Sequence, residues 1–292
     1  MAECDQTPRD DKGRALKRML WTFMFVILGL YLGWALLMFF VQDHLVFPRW
    51  ALDQAFLSEA PAGFEEWSIT TDEGRVHAWY LAGSGCTEDA PGGVVVMLHG
   101  NGMYIDRWIA EASAFAAMGW NVLLPEFRGY GRAEGTPSQD HLRSDVVAFI
   151  DQLDGRSGVD PDRLVYYGRS IGGALAAQVA LDRPPAGLVL QTPPASISAL
   201  AWRYGVPPFL VRSPFDTIDA LERLGPIPTL LIEHDADEVI PASHPARIME
   251  VAPHARHLVL EGRHNGLASS TEDQRFMDEM GVFLELIRAD GR

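Results

Sequence analysis

One serine stands between a short apolar run, Leu164-Val165-Tyr166-Tyr167, and an alanine-rich stretch, Gly173-Ala174-Leu175-Ala176-Ala177, and this setting leaves the chain few ways to fold. The intervening Gly168-Arg169-Ser170-Ile171-Gly172 makes the whole a strand, a G-x-S-x-G turn and a helix. Glycines flanking the serine leave room for strand and helix to approach closely, and the helix N-terminus favours negative charge developing there. A serine acting only as a helix cap is the plainer alternative. Similar short apolar runs recur at Val94–Leu98, Asn121–Leu124, Gly187–Gln191, Thr229–Glu233 and His257–Leu260. Between most of them lie helix-length stretches: Arg107–Met118, Gln139–Leu153, Gly172–Leu181 and Ser243–Val251, with a final one at Glu272–Ile287. Two alternating stretches, Glu65–Thr71 and Arg75–Leu81, precede them and read as hairpin strands. Eight strands in this order predict an α/β fold: one mostly parallel sheet with helices on both faces.

The 292 residues suffice for one large domain or two small ones. Residues 20–292 carry 19 basic and 35 acidic side chains, and no basic stripe appears, which disfavours nucleic-acid binding. Two cysteines, Cys4 and Cys86, cannot build a disulfide framework.

Met19–Val41 is 23 residues without a charge. As a helix it covers about 35 Å, against a hydrocarbon core of about 30 Å. It ends Phe39-Phe40-Val41-Gln42-Asp43, with no small-x-small cleavage site, so an uncleaved anchor is expected rather than a signal peptide. Arg9, Lys12, Arg14, Lys17 and Arg18 precede it, and only Arg49 is basic in the comparable stretch beyond. The positive-inside bias therefore puts residues 1–18 in the cytoplasm, 19–41 in the membrane and the rest on the extracytoplasmic side. Residues 42–62 read as a connector, with Phe47-Pro48-Arg49-Trp50 near the lipid headgroups, and 63–292 as the folded domain. Gly29 and Gly33 offer a small-xxx-small face for a homodimer, although glycine is common in such helices anyway.

A serine hydroxyl is a weak nucleophile without a base to take its proton. Strand-to-helix serines of this kind have their partners later in the chain, in the order Ser, acid, His. Asp235, Asp237 and Glu238 follow the strand Thr229–Glu233, and spacing alone does not separate them. His264 follows the strand His257–Leu260 and is the candidate base. Among the other histidines, His99 lies at a strand edge but precedes Ser170, and its His-Gly context suits shaping a loop. Acyl transfer also needs N–H donors aimed at the oxyanion, and these are expected from Ile171 and from Asn101 in His99-Gly100-Asn101-Gly102.

These residues resemble the membrane-anchored α/β-hydrolases, the abhydrolase-domain serine hydrolases that include lysophospholipid and monoacylglycerol lipases and protein depalmitoylases. The resemblance covers about residues 42–285. It rests on Leu45-Val46-Phe47-Pro48, on His99–Gly102, on Phe127-Arg128-Gly129-Tyr130-Gly131-Arg132 with Glu134-Gly135-Thr136-Pro137, and on Gly168–Gly173. Asp237-Glu238-Val239-Ile240-Pro241 and His264-Asn265 complete it. It implies the α/β-hydrolase fold, with the acid at Asp237 and the base at His264. Two departures stand out: Asp235 and Arg263 occupy positions where the family favours glycine, and both bear on loop shape and charge near His264.

Fewer than forty residues separate Gln191 from Thr229, which leaves space for only a minimal cap. Its apolar side chains, Trp202 and Leu210 above all, are expected to wall an acyl groove opening toward the bilayer, unless they simply pack on the sheet. The expected activity is hydrolysis of carboxylic ester or thioester bonds in acyl or lipid-type substrates. Amidase or peptidase activity from the same triad is an alternative, since the triad does not itself choose ester over amide. A non-catalytic binding module is another. His254 and His257 are three apart but lack nearby partners, so neither a metal nor a cofactor is expected. An arginine-heavy, lysine-poor composition hints at a bacterial inner membrane with the domain in the periplasm.

Overall fold

The computed structural model describes residues 9–52, 56, 59–264 and 274–290. Residues 1–8 of the expected tail, 53–55 and 57–58 of the connector, Asn265, and Glu272 and Asp273 of the last expected helix lie outside the described residues. Helix α1 (Arg9–Val46) opens the chain, followed by strands β1 (Phe64–Thr71), β2 (Gly74–Leu81) and β3 (Gly92–Leu98). Next come α2 (Ile109–Ala117), β4 (Asn121–Pro125), α3 (Gln139–Asp151), β5 (Val159–Arg169), α4 (Ile171–Val179) and β6 (Gly187–Gln191). The order then runs α5 (Ile197–Trp202), α6 (Thr217–Leu224), β7 (Thr229–His234), α7 (Ser243–Val251), β8 (Arg256–Leu260) and α8 (Gln274–Asp290).

The eight strands form one sheet in the order β1-β2-β4-β3-β5-β6-β7-β8. β2 pairs antiparallel with β1 and with β4, and the remaining neighbours are parallel. Helices cover both faces. Along β3, Val94, Val96 and Leu98 enter one hydrophobic core, while Val95 and Met97 enter the other. A strand buried on both sides has no polar positions to alternate, which is why it reads as a continuous apolar run. β5 starts earlier than its apolar run suggests. Gly92 pairs with Val159 and Val94 with Leu164, so Asp160–Arg163 bulge out opposite the single residue Gly93. That irregularity accommodates Pro161, which has no N–H for a ladder.

Helix α1 overruns the expected anchor at both ends, because nothing breaks it before Pro48. The first residues of the expected connector, Gln42–Val46, are therefore helical. Phe47 does not face outward at headgroup level: it is buried against Phe215, with ring centroids 6.1 Å apart, while Arg49 and Trp50 of that tetrad are exposed. Most large side chains from Leu16 to Phe40 are exposed. By length and composition α1 could cross a membrane.

Candidate active site

Strands β3, β5, β7 and β8 end on the same rim, where open α/β sheets hold their ligands. At the end of β5, Ser170 has φ 54° and ψ −122°, a strained backbone for a residue with a Cβ. Its N–H donates to the Gln191 carbonyl at 2.8 Å, which ties the turn to β6. The turn needs its glycines: a Cβ on Gly168 would strike the Gly172 backbone, and one on Gly172 would strike the Leu98 and His99 carbonyls. The serine is thereby lifted onto the rim.

His264 Nε2 lies 3.0 Å from Ser170 Oγ, and His264 Nδ1 lies 2.7 Å from Asp237 Oδ2. The second oxygen of Asp237 accepts the N–H groups of Val239 at 2.9 Å and Ile240 at 2.7 Å. Burial pushes the Asp237 carboxyl upward, but the hydrogen bonds from His264, Ile240 and Val239 outweigh it and hold the group below the usual aspartate value. The other two acids in that loop do different work. Asp235 accepts the Gly262 N–H at 3.0 Å, and Glu238 accepts the His264 N–H at 3.1 Å. Glu238 also meets Arg263 at 3.3 Å. Arg169, inside the G-x-S-x-G turn, donates to the His264 carbonyl at 2.6 Å. The N–H and the carbonyl of His264 are thus both held by side chains: Glu238, which the sequence offered only as a candidate acid, and Arg169, to which it gave no role.

The Ile171 and Asn101 residues both line the cavity above Ser170. Among the described residues, neither N–H is engaged by a backbone acceptor, as an oxyanion site requires. The Asn101 side chain bridges two elements: its amide donates to the Val46 carbonyl at the end of α1, and its oxygen accepts Tyr130 O–H at 2.9 Å. His99 is buried behind this loop, with Nε2 2.8 Å from Glu126 and Nδ1 2.9 Å from the Gly100 carbonyl.

The loop that carries Tyr130 is pinned by a buried ion pair, Arg128 Nη2 to Asp145 at 2.6 Å and Nε at 2.9 Å. Arg128→Met is expected to destabilise the fold by about 3–5 kcal/mol, because it strands the Asp145 carboxylate in a dry environment. A urea titration in detergent would register this as a lower midpoint at constant slope; an unchanged midpoint would show the pair to be dispensable.

A cavity of about 800 Å³ rises from Ser170 and His264. One wall is α1, through Trp34, Met38, Gln42, Leu45 and Val46. The opposite wall is the segment after β6, through Leu200, Ala201, Tyr204, Val206 and Val211. Trp202 and Leu210, expected to wall the groove, are not among its lining residues. Trp202 is 61% exposed and belongs to a neighbouring groove with Arg203 and Pro208. Leu210 contributes its carbonyl to Gln42, and it is Val211 that turns inward. The α1 wall escaped sequence reasoning, although Trp34, Met38, Gln42 and Leu45 recur at helical spacing on one face. Among the described residues, no group of three or more His, Cys, Asp or Glu side chains could hold a metal ion.

The chain belongs to the α/β-hydrolase fold family. The family model for that fold matches residues 93–210. A protein of Mycobacterium tuberculosis strain H37Rv, Rv2307c, is 32% identical over 231 residues, covering 78% of this chain and 81% of its own. YfhR of Escherichia coli K12 is 28% identical over 240 residues, covering 80% of this chain and 84% of its own. Among solved structures, an esterase of Pyrococcus furiosus superposes with a TM-score of 0.60 at 18% identity, over 81% of this chain and 97% of that one.

Proposed function

We propose that this protein is a membrane-anchored serine hydrolase that cleaves carboxylic ester or thioester bonds of acyl or lipid-type substrates. Ser170 Oγ attacks the acyl carbon while His264 Nε2 takes its proton. Asp237 keeps the His264 proton on Nδ1 and stabilises the imidazolium that forms. The tetrahedral oxyanion is received by the N–H groups of Ile171 and Asn101. His264 then returns the proton to the departing alcohol or thiol, leaving an acyl-serine. Water, activated by the same imidazole, releases the acid.

The observation that carries this reading is the unbroken relay of 3.0 and 2.7 Å contacts joining three segments far apart in the chain. The predominantly apolar cavity beside it favours an acyl group over a peptide. Anchoring is supported by the exposed apolar length of α1, and the basic residues before it favour a cytoplasmic N-terminus. Residues 1–18, 19–41 and 63–292 are accordingly assigned to cytoplasm, bilayer and extracytoplasmic domain.

A fluorophosphonate probe tests the nucleophile directly. The full chain in detergent is expected to be labelled on the peptide that contains Ser170, and Ser170→Ala is expected to remain unlabelled. Labelling of the variant at the wild-type rate would dismiss Ser170.

A further inference from the structure

The anchor and the cavity are not separate features. Trp34 and Met38 lie inside the charge-free run of α1, yet they line the same cavity as Ser170. The cap segment is bonded to α1 at that depth: Trp34 Nε1 donates to the Tyr204 carbonyl at 3.2 Å and Tyr31 O–H to the Gly205 carbonyl at 3.3 Å. Nearer the sheet, Gln42 bonds Leu210 and Arg212, and Asp43 pairs with Arg212 at 2.7 Å. Large apolar side chains dominate the outer surface of the cap, with Trp202 61%, Tyr204 73% and Phe209 84% exposed beside a helix already suited to lipid and the exposed Arg203 among them.

The cavity therefore has two ends. Val46 and Asn101 sit with Ser170 at one, and Trp34 and Tyr204 sit at the other. Twelve residues of helix separate Val46 from Trp34, a distance of about 18 Å. One leaflet of the hydrocarbon core is about 15 Å deep, half the full thickness. A lipid in the extracytoplasmic leaflet already stands in this orientation, with its carbonyl at the surface and its tail parallel to α1.

Resting on the proposed hydrolase reading, we infer that α1 is a wall of the substrate groove as well as an anchor, and that the groove takes one long acyl chain sideways from the leaflet, carbonyl at Ser170 and tail toward Trp34 and Tyr204. Met38, midway along, sets how long a chain fits. The cap is seated in the outer leaflet beside α1 and closes the groove against water.

The test uses the full chain reconstituted in phosphatidylcholine vesicles, with p-nitrophenyl butyrate and p-nitrophenyl palmitate as probes. Met38→Trp is expected to lower the palmitate-to-butyrate turnover ratio about tenfold, the scale on which a few methylenes are discriminated in an apolar pocket. Leu36→Trp, on the opposite, exposed face of α1, is expected to keep the wild-type ratio. A ratio within twofold of wild type for Met38→Trp, or the same change in both variants, overturns the groove while leaving the hydrolase reading intact. If Met38→Trp does not fold, Trp34→Ala decides instead: removing bulk at the far end must favour chains longer than palmitoyl, and an unchanged preference overturns the proposal. Wild-type protein that neither turns over an ester nor reacts with a fluorophosphonate overturns both readings.

Discussion

Ser170→Ala is expected to lower ester turnover about 10⁶-fold, the scale of loss when a serine protease is stripped of its nucleophile. The substitution is unusually clean here. Alanine keeps the Cβ, so the strained φ of 54° is neither relieved nor worsened, and the Gln191 carbonyl still receives the backbone N–H. Any loss is then chemical rather than conformational. The double variant Ser170→Ala with His264→Ala is expected to be no slower than the single one, because a base without a nucleophile has no proton to take. Residual turnover would come from the oxyanion donors and from binding, about 10³-fold over water. Steady-state rates of the two variants at one pH suffice. Retention of more than a hundredth of wild-type turnover in Ser170→Ala would mean that another group attacks the substrate.

Much of the sheet was legible because burial on two faces leaves a local signature. β3 and β6 are continuous apolar runs, and their residues alternate between the two cores. The short helices behind β6 were not legible. α5 has six residues, too few for a 3.6-residue period to show which side chains turn inward, so Trp202 looked as good a lining residue as Leu200. The start of β5 was hidden by Pro161 and its charged neighbours, which only a bulge reconciles with a strand.

At the rim, the order Ser, acid, His was readable, but choice among Asp235, Asp237 and Glu238 was not a matter of spacing. The three stand within four positions on one loop, and what separates them is direction: one toward Gly262, one toward the His264 ring, one toward the His264 N–H. The wall supplied by α1 was invisible for a different reason. An apolar helix satisfies the membrane reading completely, so its second use leaves no residue unexplained. Contacts across more than 160 positions, such as Trp34 with Tyr204 and Gln42 with Leu210, reveal it.

Asp237→Asn is expected to cost about 10⁴ in turnover with little change in KM, and the local hydrogen bonds say why. Two backbone N–H groups, from Val239 and Ile240, converge on Oδ1 and accept no substitute but another oxygen. The asparagine carbonyl must stay there, which turns its NH₂ toward His264 Nδ1. An NH₂ donor makes Nδ1 an acceptor and moves the ring proton to Nε2, the nitrogen 3.0 Å from Ser170. That nitrogen can then no longer take the serine proton. Stability should respond differently. Because the folded protein holds the Asp237 carboxyl below its ordinary value, its charge stabilises the fold fully above the ordinary aspartate range, and this contribution is lost as pH falls through the lowered value. The asparagine variant lacks that loss, so its stability should decline less steeply with acid than the wild type while its turnover remains low at neutral pH. Urea midpoints measured from neutral to acid pH, set beside kcat for both proteins, separate the two roles. Turnover within tenfold of wild type would remove Asp237 from the relay, and parallel acid limbs would remove it as a source of pH-dependent stability.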